Sequence, residues 1–377
     1  MAGQQSRDEK LHINEMSRNV SFELLRIIAM CMIIALHYLS KGEVLVPLAS
    51  ADGMNGAAVI AWIVEALCLP AVNVYVLISG YFGVRSRFCV TKVARLWGLA
   101  VFYSVAITLL LGLTGNLSDT HGALTFADMT IYDWMNVVFP VVTEEYWFIT
   151  AYIILYVLMP FLNAGIEKLE RKDYRNILIL LLVIFSISKS VLPMQLPIDK
   201  KGYDVLWFVC LYLLGGYFGK YGCRLFEKRY RTVLCYVIPA LGVFALAFAA
   251  RCLYLQKGIL ADFVLTNYFY TYNHLLCLVA SVGLFGMFTH VRVGKERAGK
   301  VLCRIASCTV AVYIIHEQIY MRYLWPEWFE CASYAGKWAF IPHMFITVAC
   351  VFVGCLAIEL LRQSVSGLIK KKGKKCR

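Results

Sequence analysis

The sequence predicts an all-α integral membrane protein, a bundle of ten transmembrane helices with both termini in the cytoplasm. Three observations predict it. Apolar and aromatic residues make up 60% of the 377-residue chain and charged residues only 16%, with a mean hydropathy of +0.66; a soluble domain carries about a quarter charged residues. Apolar runs long enough to cross a hydrocarbon core of roughly 30 Å recur from end to end. Basic residues gather in alternate connections, the pattern that keeps short Lys- and Arg-rich loops cytoplasmic.

The elements follow in order. Residues 1–21 are polar and of mixed charge, a cytoplasmic tail. No small-residue cleavage site follows the first apolar run, so that helix is expected to stay in the protein rather than leave as a signal peptide. Spans are expected at residues 22–39, 57–82, 93–113, 146–163, 176–193, 204–219, 232–250, 268–289, 305–324 and 340–361. The longest connection, residues 114–145, carries Asp119, Asp128, Asp133, Glu144 and Glu145 but no Lys or Arg. A short amphipathic helix is expected there, with Asp128 or Thr125 near its start and Trp134 at the interface. Gly215, Gly216 and Gly219 in the sixth span, with Gly222 just after it, read as a helix-packing contact; no strand precedes them to make a phosphate loop. Residues 22–364 form the membrane domain and residues 365–377, which include KKKGKKCR, a basic cytoplasmic tail.

The formal net charge of +13 invites a nucleic-acid reading, but the positions of the charges answer it. Of the 37 Lys and Arg residues, 29 fall in the tails and connections assigned to the inside, leaving eight outside. The excess is topological, and no nucleic-acid partner is needed. The bilayer itself is the partner that the composition implies. Fourteen cysteines include no CxxC, and Cys303 with Cys308 lacks zinc-ligand spacing, so packing cysteines and no metal site are expected.

With no loop long enough to hold a soluble domain, any chemistry has to be built in the membrane, where an ionisable group costs at least about 2.5 kcal/mol. Arg26 and His37 flank ten apolar residues, IIAMCMIIAL, in the first span. Eleven residues of helix separate them by about 16 Å along the axis and only about 20° around it, so they share one face. Arg26 sits toward the cytoplasmic end and His37 in the outer half; on the bland reading Arg26 snorkels to headgroups and His37 lies at the interface. Glu65 lies inside the second span, followed by Asn73 and Ser79, and His316, Glu317 and Gln318 sit in YIIHEQIY near the middle of the ninth. Those three polar neighbours need partners, which His37 or Glu65 can supply. Arg85, Arg87, Lys92 and Arg95 cluster on the inner side, as topology signals or as guanidinium forks for an anionic ligand.

These stretches resemble a known family. FELLRIIAMCMIIALHYL, residues 22–39, is similar to the first helix of the integral-membrane acyltransferase-3 family, whose hallmark is Arg, ten residues, His. VYVLISGYFGVRSRF resembles its segment ending in Ser79 and Gly80 with basic residues after it; YWFITAYIILYVLMPFLN, from Tyr146, resembles its Trp-Phe helix ending in Pro. LLGGYFGKYG and VAVYIIHEQIY resemble its Gly-rich and Tyr-Ile-His segments. Glu23 stands where the family often has Asp, preserving the carboxylate with one methylene more.

The resemblance implies a multi-pass acyltransferase of a bacterial cell membrane. It would move an acyl group, acetyl for choice, from cytoplasmic acyl-CoA as co-substrate to a hydroxyl of a surface polysaccharide or lipid-linked glycan. On that reading Arg26, Arg85, Arg87 and Arg95 hold the phosphates of the donor. His37 is the base, Glu23 fixes Arg26, and His316 orients His37, binds the acceptor or relays the acyl group. Ser79, Glu65, Trp147 and Glu317 contact substrate. The competing reading is a glycan or glycolipid exporter in which Glu65, His316 and Glu317 relay protons; a scaffold without chemistry leaves the costly ionisable groups unexplained.

Overall fold

The computed structural model describes residues 2–84, 86, 88–119, 122–192, 200–294 and 296–375, with side chains described between positions 20 and 367. Among these the protein is helical, with one two-residue hairpin. Helix α1 (Ala2–Ser40) runs unbroken through the predicted tail and the first span. It stops where the amides of Lys41 and Gly42 both turn back to the His37 carbonyl. The second predicted span is two helices, α2 (Gly56–Cys68) and α3 (Ala71–Gly83). The break falls at Pro70, which has no N–H to continue the ladder. Asn55 caps α2 by accepting from the Ala58 amide at 3.0 Å.

Helix α4 (Val90–Leu113) leads to the hairpin β1 (Ser118–Asp119) and β2 (Gly122–Ala123), paired antiparallel, and then to α5 (Ile131–Val138). The expected amphipathic helix is therefore present and carries Trp134. Its start is Thr130, in a reciprocal capping box with Asp133, rather than Thr125 or Asp128, which instead bond to each other. Next come α6 (Trp147–Lys168), α7 (Arg171–Leu182), a π turn (Val183–Ile187) and α8 (Ser188–Val191). Helix α9 (Val205–Tyr221) is capped by Asp204 and ends on Gly222 at φ 70°. Helix α10 (Arg229–Lys257), the short α11 (Ala261–Leu265) and α12 (Leu275–Met287) follow. The chain closes with α13 (Glu296–Ala306), α14 (Thr309–His316), α15 (Met321–Trp328) and α16 (Phe340–Lys375).

Eight of these segments are long and apolar enough to cross a membrane, and their exposed residues include Leu110, Leu113, Phe161 and Leu361. This is a multi-pass membrane protein whose lipid-facing surface is apolar and whose backbone groups are satisfied within helices. The other two predicted spans fall on shorter apolar helices, α9 and α12. Residues 268–274, expected to open the eighth span, form turns and a non-helical approach to α12.

Close packing centres on α3 against α9 and α10 against α12. A Cβ on Gly80 would lie 2.2 Å from the Tyr212 carbonyl oxygen, and one on Gly215 would lie 2.3 Å from that of Leu77. Only glycine lets these backbones approach so closely. Gly222 serves instead as the left-handed stop of α9. Asn73 ties α3 to both neighbours, accepting from Trp207 Nε1 at 3.0 Å and donating to the Tyr272 carbonyl at 2.8 Å.

Candidate active site

The ninth predicted span differs from expectation in a way that builds the site. His316 was expected midway along a continuous helix; it is the last residue of α14, and Glu317 and Gln318 occupy the break before α15. A helix break in a bundle leaves backbone groups that need partners. Trp325 Nε1 donates to the His316 carbonyl at 3.1 Å, and Gln318 accepts from the amides of Tyr320 and Met321 at 3.0 Å each. Gln318 also donates to Thr108 on α4 at 2.9 Å. Packing thus fixes the break, with His316 1% and Glu317 4% exposed.

Opposite it stands the end of α1. His37 Nδ1 lies 3.0 Å from His316 Nε2 and 3.0 Å from Glu317 Oε2. The other ring nitrogen of His316, Nδ1, is 2.6 Å from the Val312 carbonyl, an acceptor only, so a neutral His316 carries its proton there and presents Nε2 as an acceptor. His37 Nδ1 then faces the His316 acceptor, with Glu317 Oε2 at ion-pair distance but making no hydrogen bond, and is assigned the proton from the His316 contact. That leaves His37 Nε2 as the basic nitrogen, and His37 lines a cavity of about 530 Å³. Glu317 is held in turn by Lys41, one helical turn beyond His37, and by Arg322, whose Nε lies 3.6 Å from Oε1. Arg322 also donates to the Glu145 carbonyl at 2.8 Å and approaches its carboxylate at 3.3 Å.

The same cavity is lined by Glu65, Trp147, Tyr75 and Tyr313. The Tyr313 hydroxyl and Glu65 Oε2 are buried without a hydrogen-bond partner among the described residues. A second cavity, about 310 Å³, lies farther back along α1 and is lined by Arg26, Ser79 and Lys92. Met30 and Ile33, which line the first cavity, stand between Arg26 and His37 at helical spacing, so one stripe of α1 faces both spaces. Between the cavities stand Tyr75, whose hydroxyl bonds to the Arg26 carbonyl, and Phe148, with ring centroids 6.1 Å apart. Glu23 pairs with Arg26. Ser79 bonds to the Tyr75 carbonyl at 2.9 Å and to the Tyr152 hydroxyl at 3.3 Å.

Of the expected site residues, His37, Glu317, Glu65 and Trp147 line the larger cavity, with His316 behind His37 and outside the lining, and Arg26, Glu23 and Ser79 lie around or beside the smaller. Arg95 is exposed and outside the cavity lining, and Arg85 and Arg87 lie outside the described residues. Lys41, Arg322 and Glu145 were not singled out by sequence; the signal for Lys41 was its position four residues after His37. Glu359, another buried carboxylate, is satisfied by Tyr103 at 2.7 Å and by Arg362, an ion pair remote from both cavities. By type and distance His37, His316 and Glu317 can also hold a metal ion, their ligand atoms lying within 4.8 Å of one another. Against that use, Lys41 and Arg322 already engage the carboxylate and His316 Nε2 faces His37.

The class is that of a membrane-embedded helical bundle with a half-buried histidine, His37, held against a cavity by ionisable neighbours. The chain belongs to the acyltransferase-3 family, whose acyltransferase-domain profile matches residues 19–360, nearly the whole length. No curated protein and no solved structure matches it.

Proposed function

We propose that this membrane acyltransferase moves an acetyl group from cytoplasmic acetyl-CoA to a hydroxyl of a surface polysaccharide or its lipid-linked precursor. The observation that carries the reading is the single face of α1 that joins Arg26, in one cavity, to His37, oriented by His316 and Glu317, in another. Both termini and the Arg26 cavity belong on the cytoplasmic side. There Arg26 and Lys92, which line that cavity, bind the donor phosphates. The thioester arm passes Tyr75 and Phe148 to reach His37.

His37 Nε2 takes the proton of the acceptor hydroxyl as its oxygen attacks the thioester carbonyl carbon. The C–O bond forms, the C–S bond breaks, and the proton passes to the departing CoA thiolate. Glu317 holds the His37 ring in its reactive tautomer and stabilises the imidazolium, with Lys41 and Arg322 fixing Glu317. Tyr313 donates its unpartnered hydroxyl to the oxyanion that develops on the carbonyl. The exporter reading is weaker: a carboxylate clamped between Lys41 and Arg322 suits a fixed positioning group better than a proton carrier, and the family is one of acyltransferases. Mass spectrometry of surface glycans from a strain lacking the protein tests the proposal. Loss of an acetyl mass that the wild-type gene restores and the His37→Ala gene does not is expected; an unchanged glycan acetylation pattern contradicts it.

A further inference from the structure

Glu65 is not used by the chemistry above, yet it lies on the wall of the same cavity with Oε2 buried and unpartnered. A carboxylate withdrawn from water is costly unless something pairs it. The cations that share the cavity are committed elsewhere: Lys41 and Arg322 to Glu317, and Lys201 to the Thr266 carbonyl at 3.2 Å. Five aromatic rings share the cavity wall with Glu65. Trp62, one turn before it on α2, packs on Tyr270 with ring centroids 4.8 Å apart, and Trp147, Tyr203 and Tyr272 form a second cluster at 4.4 to 5.8 Å. All five rings line the cavity. Aromatic rings sharing a wall with an unpaired carboxyl group are a composition that recognises a cationic nitrogen.

An independent observation lies next to this cavity. Beyond Lys41, Ser40 and Tyr323, which line both spaces, opens a vestibule of about 750 Å³ at the end of the bundle away from Arg26. Its wall carries Glu43, Asp119, Glu327 and Glu330, and its sole lining cation among the described residues is Lys41, paired with Glu317. Such a mouth concentrates cations and repels anions.

We propose that the acceptor enters through this vestibule carrying an ammonium group, which Glu65 and the rings of Trp62, Tyr270 and Tyr272 hold while a hydroxyl of the same molecule meets His37. The inference rests on the acyl-transfer reading for the role of its hydroxyl, and names the acceptor as an amine-bearing alcohol, such as an amino sugar with a free amine. The amine is a handle, and the bonds made and broken remain those of O-acylation.

The test compares glucosamine with glucose, which differ at one position by ammonium against hydroxyl. Binding to the purified full-length protein is read at neutral pH, without acyl donor, by tryptophan fluorescence and by thermal stability. Glucosamine is expected to bind at least about tenfold more tightly than glucose. Glu65→Gln, which keeps the shape and hydrogen-bonding capacity but removes the charge, is expected to abolish that preference with an unchanged unliganded melting temperature. His37→Ala is expected to keep it, which separates this result from any failure of the catalytic reading. Equal affinities, no saturable response to either sugar, or a preference that persists in Glu65→Gln would overturn the proposal.

Discussion

At the scale of single residues, the site depends on which nitrogen of His37 is free. The His316 acceptor at 3.0 Å from Nδ1, with the Glu317 carboxylate beside it, puts the proton there and leaves Nε2 for the proposed base. Glu317→Gln keeps the side-chain volume but removes the charge that favours this tautomer and its protonated product. It is expected to lower kcat about a hundredfold or more with little change in the KM for acyl-CoA, read by steady-state kinetics. Rescue of kcat by Glu317→Asp above the Gln level would mark the role as positioning, while equal loss in both variants together with a lowered melting temperature would mark it as structural. Tyr313→Phe removes only the hydroxyl proposed for the oxyanion and is expected to cost kcat about tenfold to a hundredfold, again without a donor KM effect. The His37, His316, Glu317 and Glu65 set was legible in sequence because ionisable groups are costly in a lipid-crossing segment. Lys41 and Arg322 read there only as two of the outer-side charges. Their partner, Glu317, comes from a segment about 280 residues away from Lys41, and no local pattern encodes that contact.

At the scale of helices, apolar length located every long element, while interruptions escaped it. Pro70 marks the α2–α3 break in plain sight, but the break after His316 has no proline or glycine; it is held by Gln318, whose partner Thr108 is distant in sequence, and by Trp325, which lies just beyond the predicted span. That break matters because it ends α14 at the residues facing His37. The glycine face was legible, and the structure adds which glycines bear it. Gly80→Val and Gly215→Val would each drive a side chain into a helix backbone and are expected to lower stability by about 1–3 kcal/mol or more, seen as a reduced melting temperature in detergent. Gly98→Ala, where no atom lies within 4 Å of the added carbon, serves as the control and is expected to leave it unchanged.

In the whole molecule, one face of α1 joins the Arg26 cavity, proposed for the donor, to the His37 cavity, proposed for the reaction. Arg26→Ala is expected to raise the KM for acetyl-CoA about tenfold or more while kcat at saturation falls less, because it removes a charge-assisted phosphate contact and leaves His37 in place. The charge ledger makes a topological prediction as well: reporter fusions at both termini should read as cytoplasmic, and a reporter inserted in the vestibule loop near Glu330 should read as external. The most direct test of the central claim is turnover of labelled acetyl-CoA by the purified protein in liposomes, wild type beside His37→Ala. Wild-type protein is expected to transfer the label to an added acceptor, or to water in its absence, and His37→Ala to lose at least about a hundredfold of that rate while remaining folded. Equal turnover by the two proteins would contradict it.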